Sequence, residues 1–178
     1  MPAPIVVLIG PPGSGKTAVA VALAGLLNVV ARDTDDDVVA TDGRDIPTIF
    51  VEDGESAFRA RERAAVAEGL RGHPGVLALG GGAILDPSTR ADLESYAAHG
   101  GTVVYLAVTA GVAAERVGIG GARPLLVGSP HRQWVTLMEQ RRATYESLAS
   151  FTVETDEATP AEVAATIVEE MGARCPSE

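Results

Sequence analysis

Lysine is almost missing from this chain: Lys16 stands alone beside thirteen arginines in 178 residues. That scarcity excludes the guanine-reading motif N-K-x-D of GTPases, which needs a second lysine. Cysteine is equally scarce. The single Cys175 lies in a stretch, from 173 onward, that is expected to fray, so a disulfide framework and a cysteine-based metal cluster are both excluded, and redox chemistry with them. Positive charge is short as well. A formal net charge of −10 argues against the broad basic surface that nucleic-acid binding demands. No apolar run approaches the length of a membrane span or follows a basic secretory segment. The expectation is a cytoplasmic protein with neither a nucleic-acid nor a membrane partner, folded as one domain over 1–178 with a core of its own. In so acidic a chain, any site for an anion has to be a local gathering of cations.

What is present begins with Gly10-Pro11-Pro12-Gly13-Ser14-Gly15-Lys16-Thr17, which fits G-x-x-x-x-G-K-[ST]. An apolar run precedes it, and a helical Ala/Val/Leu pattern over 17–27 follows. This is the context of a phosphate-binding loop: glycines let backbone N–H groups turn inward around a polyphosphate, Lys16 supplies a cation, and the Thr17 hydroxyl can ligate Mg²⁺.

Alternating apolar runs and helical patterns predict a βα repeat, hence an α/β fold with a parallel sheet and helices on both faces. Strands are expected near 4–9, 28–31, 75–79, 102–108 and 151–154. Helices are expected near 46–51, 55–70, 87–98 and 131–148, and from a capping box at Thr159 and Glu162, with Pro160 at the first helical position, to about 171. The second strand runs into Arg32-Asp33-Thr34-Asp35-Asp36-Asp37, read as an acidic turn. Asp33 and Asp35 alternate across the chain and suit two tasks, one helping to hold Mg²⁺ and its waters, the other facing a substrate hydroxyl. Asp36 and Asp37 read as helix-capping acids.

Within 55–70, Glu55, Arg59 and Glu62 fall on the apolar arc with Phe58, Val66 and Leu70. Arg59, braced by Glu55 or Glu62, is therefore read as a pocket residue presented to an anion, whereas Arg61 and Arg63 read as members of a surface ion ladder. Three glycines, Gly80, Gly81 and Gly82, end the third strand and allow a ligand close approach to backbone. The segment 111–130 is glycine-rich and carries Arg116 and Arg123, which suits a mobile lid that excludes water. In 131–148, Trp134, Leu137, Met138, Tyr145 and Leu148 share one face with Arg141 in its middle. Leaving that guanidinium unpaired would cost several kcal/mol, on the order of 3–5, so Arg141 must meet a carboxylate of the protein or of a ligand. His73, His99 and His131 lack metal-like spacing.

These pieces, with Gly43-Arg44, Asp53-Gly54-Glu55, Gly80-Gly81-Gly82-Ala83, Arg123-Pro124-Leu125-Leu126 and the pair Arg141 and Tyr145, resemble shikimate kinase over residues 4–171. The resemblance implies a three-layer α/β/α P-loop kinase fold of the nucleoside monophosphate kinase type. It would have a five-stranded parallel sheet, a lid over about 111–130 and substrate-binding helices over about 34–70. It also implies ATP as donor, Mg²⁺, and the 3-hydroxyl of shikimate as acceptor. Carried over by position, Gly13, Ser14, Gly15, Lys16 and Thr17 would bind the ATP phosphates, with Thr17 and Asp33 placing Mg²⁺ directly or through water. Asp35 would accept or orient the substrate hydroxyl, Arg59 and Arg141 would clamp the carboxylate, and the Gly81 backbone would meet the ring hydroxyls. Arg123 would reach the phosphates from the lid, and Arg116 and Pro160 would sandwich adenine. A monomer is expected. Asp36 and Asp37 would add charge beside Asp35 and raise its pKa. A gluconate kinase and a non-catalytic ATP-binding module are the alternatives. Asp33-Thr34-Asp35 with Arg59 argues against the first, and the full set Lys16, Thr17, Asp33, Asp35 and Arg123 against the second.

Overall fold

Continuous apolar runs such as Val6–Ile9 suit strands covered on both faces, and a strand's period of two sends alternate residues to opposite sides. A computed structural model describes residues 3–118 and 130–174. Five parallel strands, β1 (Val6–Ile9), β2 (Ala31–Asp33), β3 (Val76–Ala78), β4 (Thr102–Ala107) and β5 (Phe151–Glu154), line up in the order β2-β3-β1-β4-β5. Eight helices flank them among the described residues: α1 (Lys16–Leu27), α2 (Thr34–Asp42), α3 (Ile46–Glu52), α4 (Gly54–Gly72), α5 (Pro87–Ala98), α6 (Ala110–Arg116), α7 (Pro130–Leu148) and α8 (Pro160–Arg174).

The alternation is visible in β1. Val6 and Leu8 pack with Val19 and Leu23 of α1 and with Val163 and Ile167 of α8. Val7 and Ile9 point the other way, into a second core with Val66 of α4, Leu93 of α5 and Tyr145 and Leu148 of α7. A small third cluster, Val38, Ile49 and Phe58, ties α2 and α3 to α4. No described helix is long and apolar enough to cross a membrane.

Several expectations need correction. The second strand lies at Ala31–Asp33, later than 28–31, because Asn28 closes α1 in a left-handed conformation and the strand starts only after it. The acidic stretch after it is a helix rather than a turn: the Asp33 carboxylate accepts from the N–H of Asp35, and three acids occupy the first turn, where the helix dipole favours them. The start of the expected lid is the helix α6; residues 119–129, Arg123 among them, and Cys175 lie outside the described residues. Leu137 is 38% exposed instead of sharing the buried face of α7, which is populated lower down by Tyr145 and Leu148. Nor do Arg61 and Arg63 form a ladder along α4. Arg61 reaches Asp42 and Asp53, and Arg63 reaches Asp86 and Asp92, so both fasten α4 to its neighbours. At the other end, the capping box forms as expected: the Thr159 N–H donates to Glu162 at 2.8 Å and the Glu162 N–H to the Thr159 hydroxyl at 3.3 Å. The helix it opens runs to Arg174, past the expected end and the expected onset of fraying.

Candidate active site

From β1 the chain crosses to β2 and β3 on one side of the sheet and later to β4 and β5 on the other. That change of direction opens a crevice beyond the carboxyl ends of the strands, where open α/β sheets bind ligands. The loop Gly10 to Thr17 fills its floor. Gly13 (φ 84°) and Gly15 (φ 85°) hold left-handed conformations that other residues adopt only with strain. Gly15 is also the N-cap of α1, and no side chain caps that helix end, so its first N–H groups are left for an anion. Lys16 is buried, and its ammonium donates to the Pro11 carbonyl at 2.9 Å and lies 3.4 Å from Ser14 Oγ. Burial lowers its pKa to about 8, against the opposing pull of Asp35 and Asp33.

Asp33 does two jobs at once. One oxygen caps α2, and the other accepts the Thr17 hydroxyl at 2.6 Å. Two hard oxygen ligands thus stand side by side at the edge of the phosphate loop, a donor set that fits Mg²⁺. Asp35, in the first turn of α2, faces a cleft of about 410 Å³ that it shares with Lys16, Thr17, Asp33, Gly81 and Arg116. Its pKa rises to about 6, chiefly through burial, then through the nearby charges of Asp33 and Glu62, with Lys16 acting against them. The expected effect of Asp36 is the smallest of these, and Asp37 is occupied by Arg32 at 2.7 Å, so the acidic run is not the main cause.

On the far side of the cleft, Arg59 is held by both candidate braces: Nη1 donates to Glu62 at 2.7 Å, and Nε and Nη2 to Glu55 at 3.3 Å. Glu62 is the buried one, its side chain 4% exposed. Burial pushes its carboxyl above the ordinary range even with Arg59 beside it, and the charge of Arg141 also reaches it. Arg141 therefore lies within electrostatic reach of a protein carboxylate. Its Nε is buried without a partner among the described residues, which leaves a donor for an incoming acceptor. Between these groups runs the glycine segment. A Cβ on Gly80 would fall on Asp35 and Glu62, one on Gly81 would lie 2.6 Å from Pro12 Cδ, and one on Gly82 would fall on the Arg59 guanidinium.

Arg116 is fixed by carbonyls, donating to Gly13 at 3.2 Å, Thr155 at 2.7 Å and Asp156 at 3.1 Å. It borders a further pocket of about 200 Å³ with Val19, Ala158, Pro160 and Val163, apolar enough for a nucleobase. A cavity of about 730 Å³ lies elsewhere. It sits between α4 and α5 near Pro4 and Gly101, at the amino ends of the strands, and its Arg63 is already paired.

Of the predicted groups, Gly13, Ser14, Gly15, Lys16, Thr17, Asp33, Asp35, Gly81, Arg116 and Pro160 line two adjoining pockets, while Arg59 lies beside Gly82 and Arg141 near Glu62, behind the glycine segment. Thr34 escaped the sequence reading. It is fully buried and its hydroxyl accepts the Gly80 N–H at 2.9 Å, a contact across 46 residues that nothing local could signal.

A profile of the shikimate kinase family matches residues 12–172. A shikimate kinase of Thermobifida fusca is 52% identical over 170 residues, covering 96% of both chains. Among solved structures, a shikimate kinase from Acinetobacter baumannii in complex with shikimate superposes with a TM-score of 0.87 at 32% identity, covering 99% of this chain and 97% of that one. A gluconokinase from Sinorhizobium meliloti superposes with a TM-score of only 0.55 at 19% identity, covering 95% of each chain, a likeness of fold alone. A phosphate loop facing one carboxylate and two arginines, and a family match across nearly the whole chain, lead to one conclusion: this protein belongs to the shikimate kinase family.

Proposed function

We propose that this protein transfers the γ-phosphoryl group of ATP to the 3-hydroxyl of shikimate, giving shikimate 3-phosphate and ADP and so serving aromatic amino acid biosynthesis. The observation that carries the reading is the pairing, across one glycine turn, of the carboxylate Asp35 with the cations Arg59 and Arg141, all opposite Lys16. A hydroxylated carboxylic acid is the acceptor such a site suits: two arginines meet its carboxylate and one acid meets its hydroxyl.

Asp35 accepts or orients the hydroxyl proton as oxygen attacks the γ-phosphorus. The N–H groups of Gly13, Ser14 and Gly15 and the ammonium of Lys16 hold the phosphates, and Lys16 follows the charge that builds on the bridging oxygen. Arg123 is assigned to the same charge from the lid, within a single domain whose lid spans about 111–130 and whose acceptor helices span about 34–70. Thr17 and Asp33 would hold Mg²⁺, which neutralises phosphate charge when bound. Arg116 and Pro160 flank the base. Both substrates are small and soluble, and we place the reaction in the cytoplasm with the enzyme as a monomer.

Two pKa values bound the pH profile. Asp35 has to be ionised and Lys16 charged, so kcat/KM is expected to rise through about pH 6 and fall through about pH 8. The deciding experiment is a coupled ADP-release assay with Mg-ATP and, in turn, shikimate, gluconate and a nucleoside monophosphate. Turnover with gluconate or a nucleotide and none with shikimate would reject the assignment.

A further inference from the structure

A run of three glycines at the centre of a binding site is hard to keep still, since glycine loses the most conformational freedom on folding. Here none of the three sits at positive φ. They are required by crowding, not by an unusual backbone, and their own rigidity has to come from elsewhere. Two buried hydroxyls supply it. The Gly80 N–H donates to Thr34 Oγ1 at 2.9 Å, and Thr34 is 0% exposed. The Tyr145 hydroxyl donates to the Gly81 carbonyl at 2.6 Å, from a side chain 1% exposed whose ring stacks on Tyr105 with centroids 5.1 Å apart.

Each hydroxyl stands beside an acceptor-site group. Thr34 lies between Asp33 and Asp35 in the chain, and Tyr145 lies one helical turn beyond Arg141, whose guanidinium reaches the phenol. The turn closes with the Ala83 N–H on the Gly80 carbonyl at 3.0 Å. The N–H groups of Gly81 and Gly82 have no hydrogen-bond partner among the described residues, and Gly81 lines the cleft that holds Lys16 and Asp35.

We propose that the buried hydroxyls of Thr34 and Tyr145 are positioning groups for the acceptor. Between them they set the 80–82 turn in register with Asp35 on one side and Arg141 on the other, so the acceptor meets backbone donors already in place. The inference rests on the function proposed above and deepens it. Neither hydroxyl touches the reacting atoms, and each acts through the turn it holds.

The test is to delete each oxygen at nearly constant volume, with Thr34→Val and Tyr145→Phe, and to measure KM for shikimate, KM for ATP, kcat and melting temperature. Each variant is expected to raise KM for shikimate about tenfold, with KM for ATP held within about twofold and kcat falling less than KM rises. Thr34→Ser, which restores the hydroxyl, should bring KM for shikimate back to within about twofold of the parent protein. An unchanged shikimate KM in both variants would overturn the proposal, as would equal increases in both KM values tracking a loss of melting temperature. If Thr34→Val does not fold, Tyr145→Phe decides alone, since it removes one atom and keeps the stacked ring. Failure of the parent protein to phosphorylate shikimate would instead bring down the proposed function, and a parent that turns over beside indifferent variants would bring down this inference only.

Discussion

Asp35 destabilises, at neutral pH, the fold that carries it. Its pKa is about 6 in the folded protein against an ordinary value of 3.8. As pH rises from 4 to 6 the unfolded chain therefore loses this proton first, so stability falls across that window and levels off above it. Asp35→Asn should raise the melting temperature at pH 7 by several degrees, for a gain of up to about 3 kcal/mol. The gain should vanish near pH 4, while turnover drops by about 10²–10⁴-fold. Calorimetry at both pH values with an ADP-release assay checks both halves. The glycines make a second residue-scale prediction. Gly82→Ala meets only the movable end of Arg59, so it should raise KM for shikimate and spare ATP. Gly81→Ala meets the ring and backbone nitrogen of Pro12, so it should harm both substrates by displacing the phosphate loop. Steady-state kinetics separates them. That a ligand could approach this run closely was legible from three glycines after an apolar strand. That their neighbours would be Asp35, Glu62, Pro12 and Arg59 was not, because those contacts join segments far apart in the chain.

The helices around the acceptor side are fastened by charge as well as by Val38, Ile49 and Phe58. Arg44, in the link between α2 and α3, donates to Asp42, Glu52 and Asp53, and Arg61 of α4 reaches Asp42 and Asp53. The Asp42 side chain is 7% exposed, so this is a partly enclosed network and not a lone surface pair. Hydrogen bonding from Arg44 holds the Asp42 carboxyl below its ordinary range, and that stability is present above about pH 4 and lost as pH falls through the lowered value. Arg44→Met should lower the melting temperature at pH 7 and in a cycle with Arg61→Met should show a combined effect different from the sum, because both share Asp42 and Asp53. Additive losses would contradict a shared network. The sequence marked Arg44 as part of a motif but gave it no task, and it presented Arg61 as a surface ladder. Ladder and tether look alike in one helix's periodicity, and only the arrival of α2 and the loop before α4 distinguishes them. The acidic run misled for a related reason: Asp33 both caps α2 and holds Thr17, and a count of acids cannot show that one carboxylate serves both partners.

For the molecule as a whole, the parallel sheet, its two apolar faces and the phosphate loop were legible because each depends on local pattern, while strand order had to come from packing. Two adjoining pockets, which the proposed function gives to the acceptor with the phosphates and to the base, imply separable stabilisation by ligand. At about 100 times its dissociation constant, a ligand adds about 2.7 kcal/mol, several degrees of melting temperature for a chain this size. Shikimate and ATP should each give such a shift, and Arg141→Ala should erase the first and keep the second; loss of both would show that Arg141 supports the fold more than the acceptor. One further consequence follows from Lys16, buried on the Pro11 carbonyl with its pKa near 8. To a reagent that acylates amines, the protein offers one lysine, and it lies where the proposed function puts the ATP phosphates. Coupling this protein to a surface through lysine would therefore select for damaged sites, whereas the acyl mass that ATP keeps off the protein at mildly alkaline pH, read as the difference between uptake without and with ATP, would report nucleotide occupancy at Lys16.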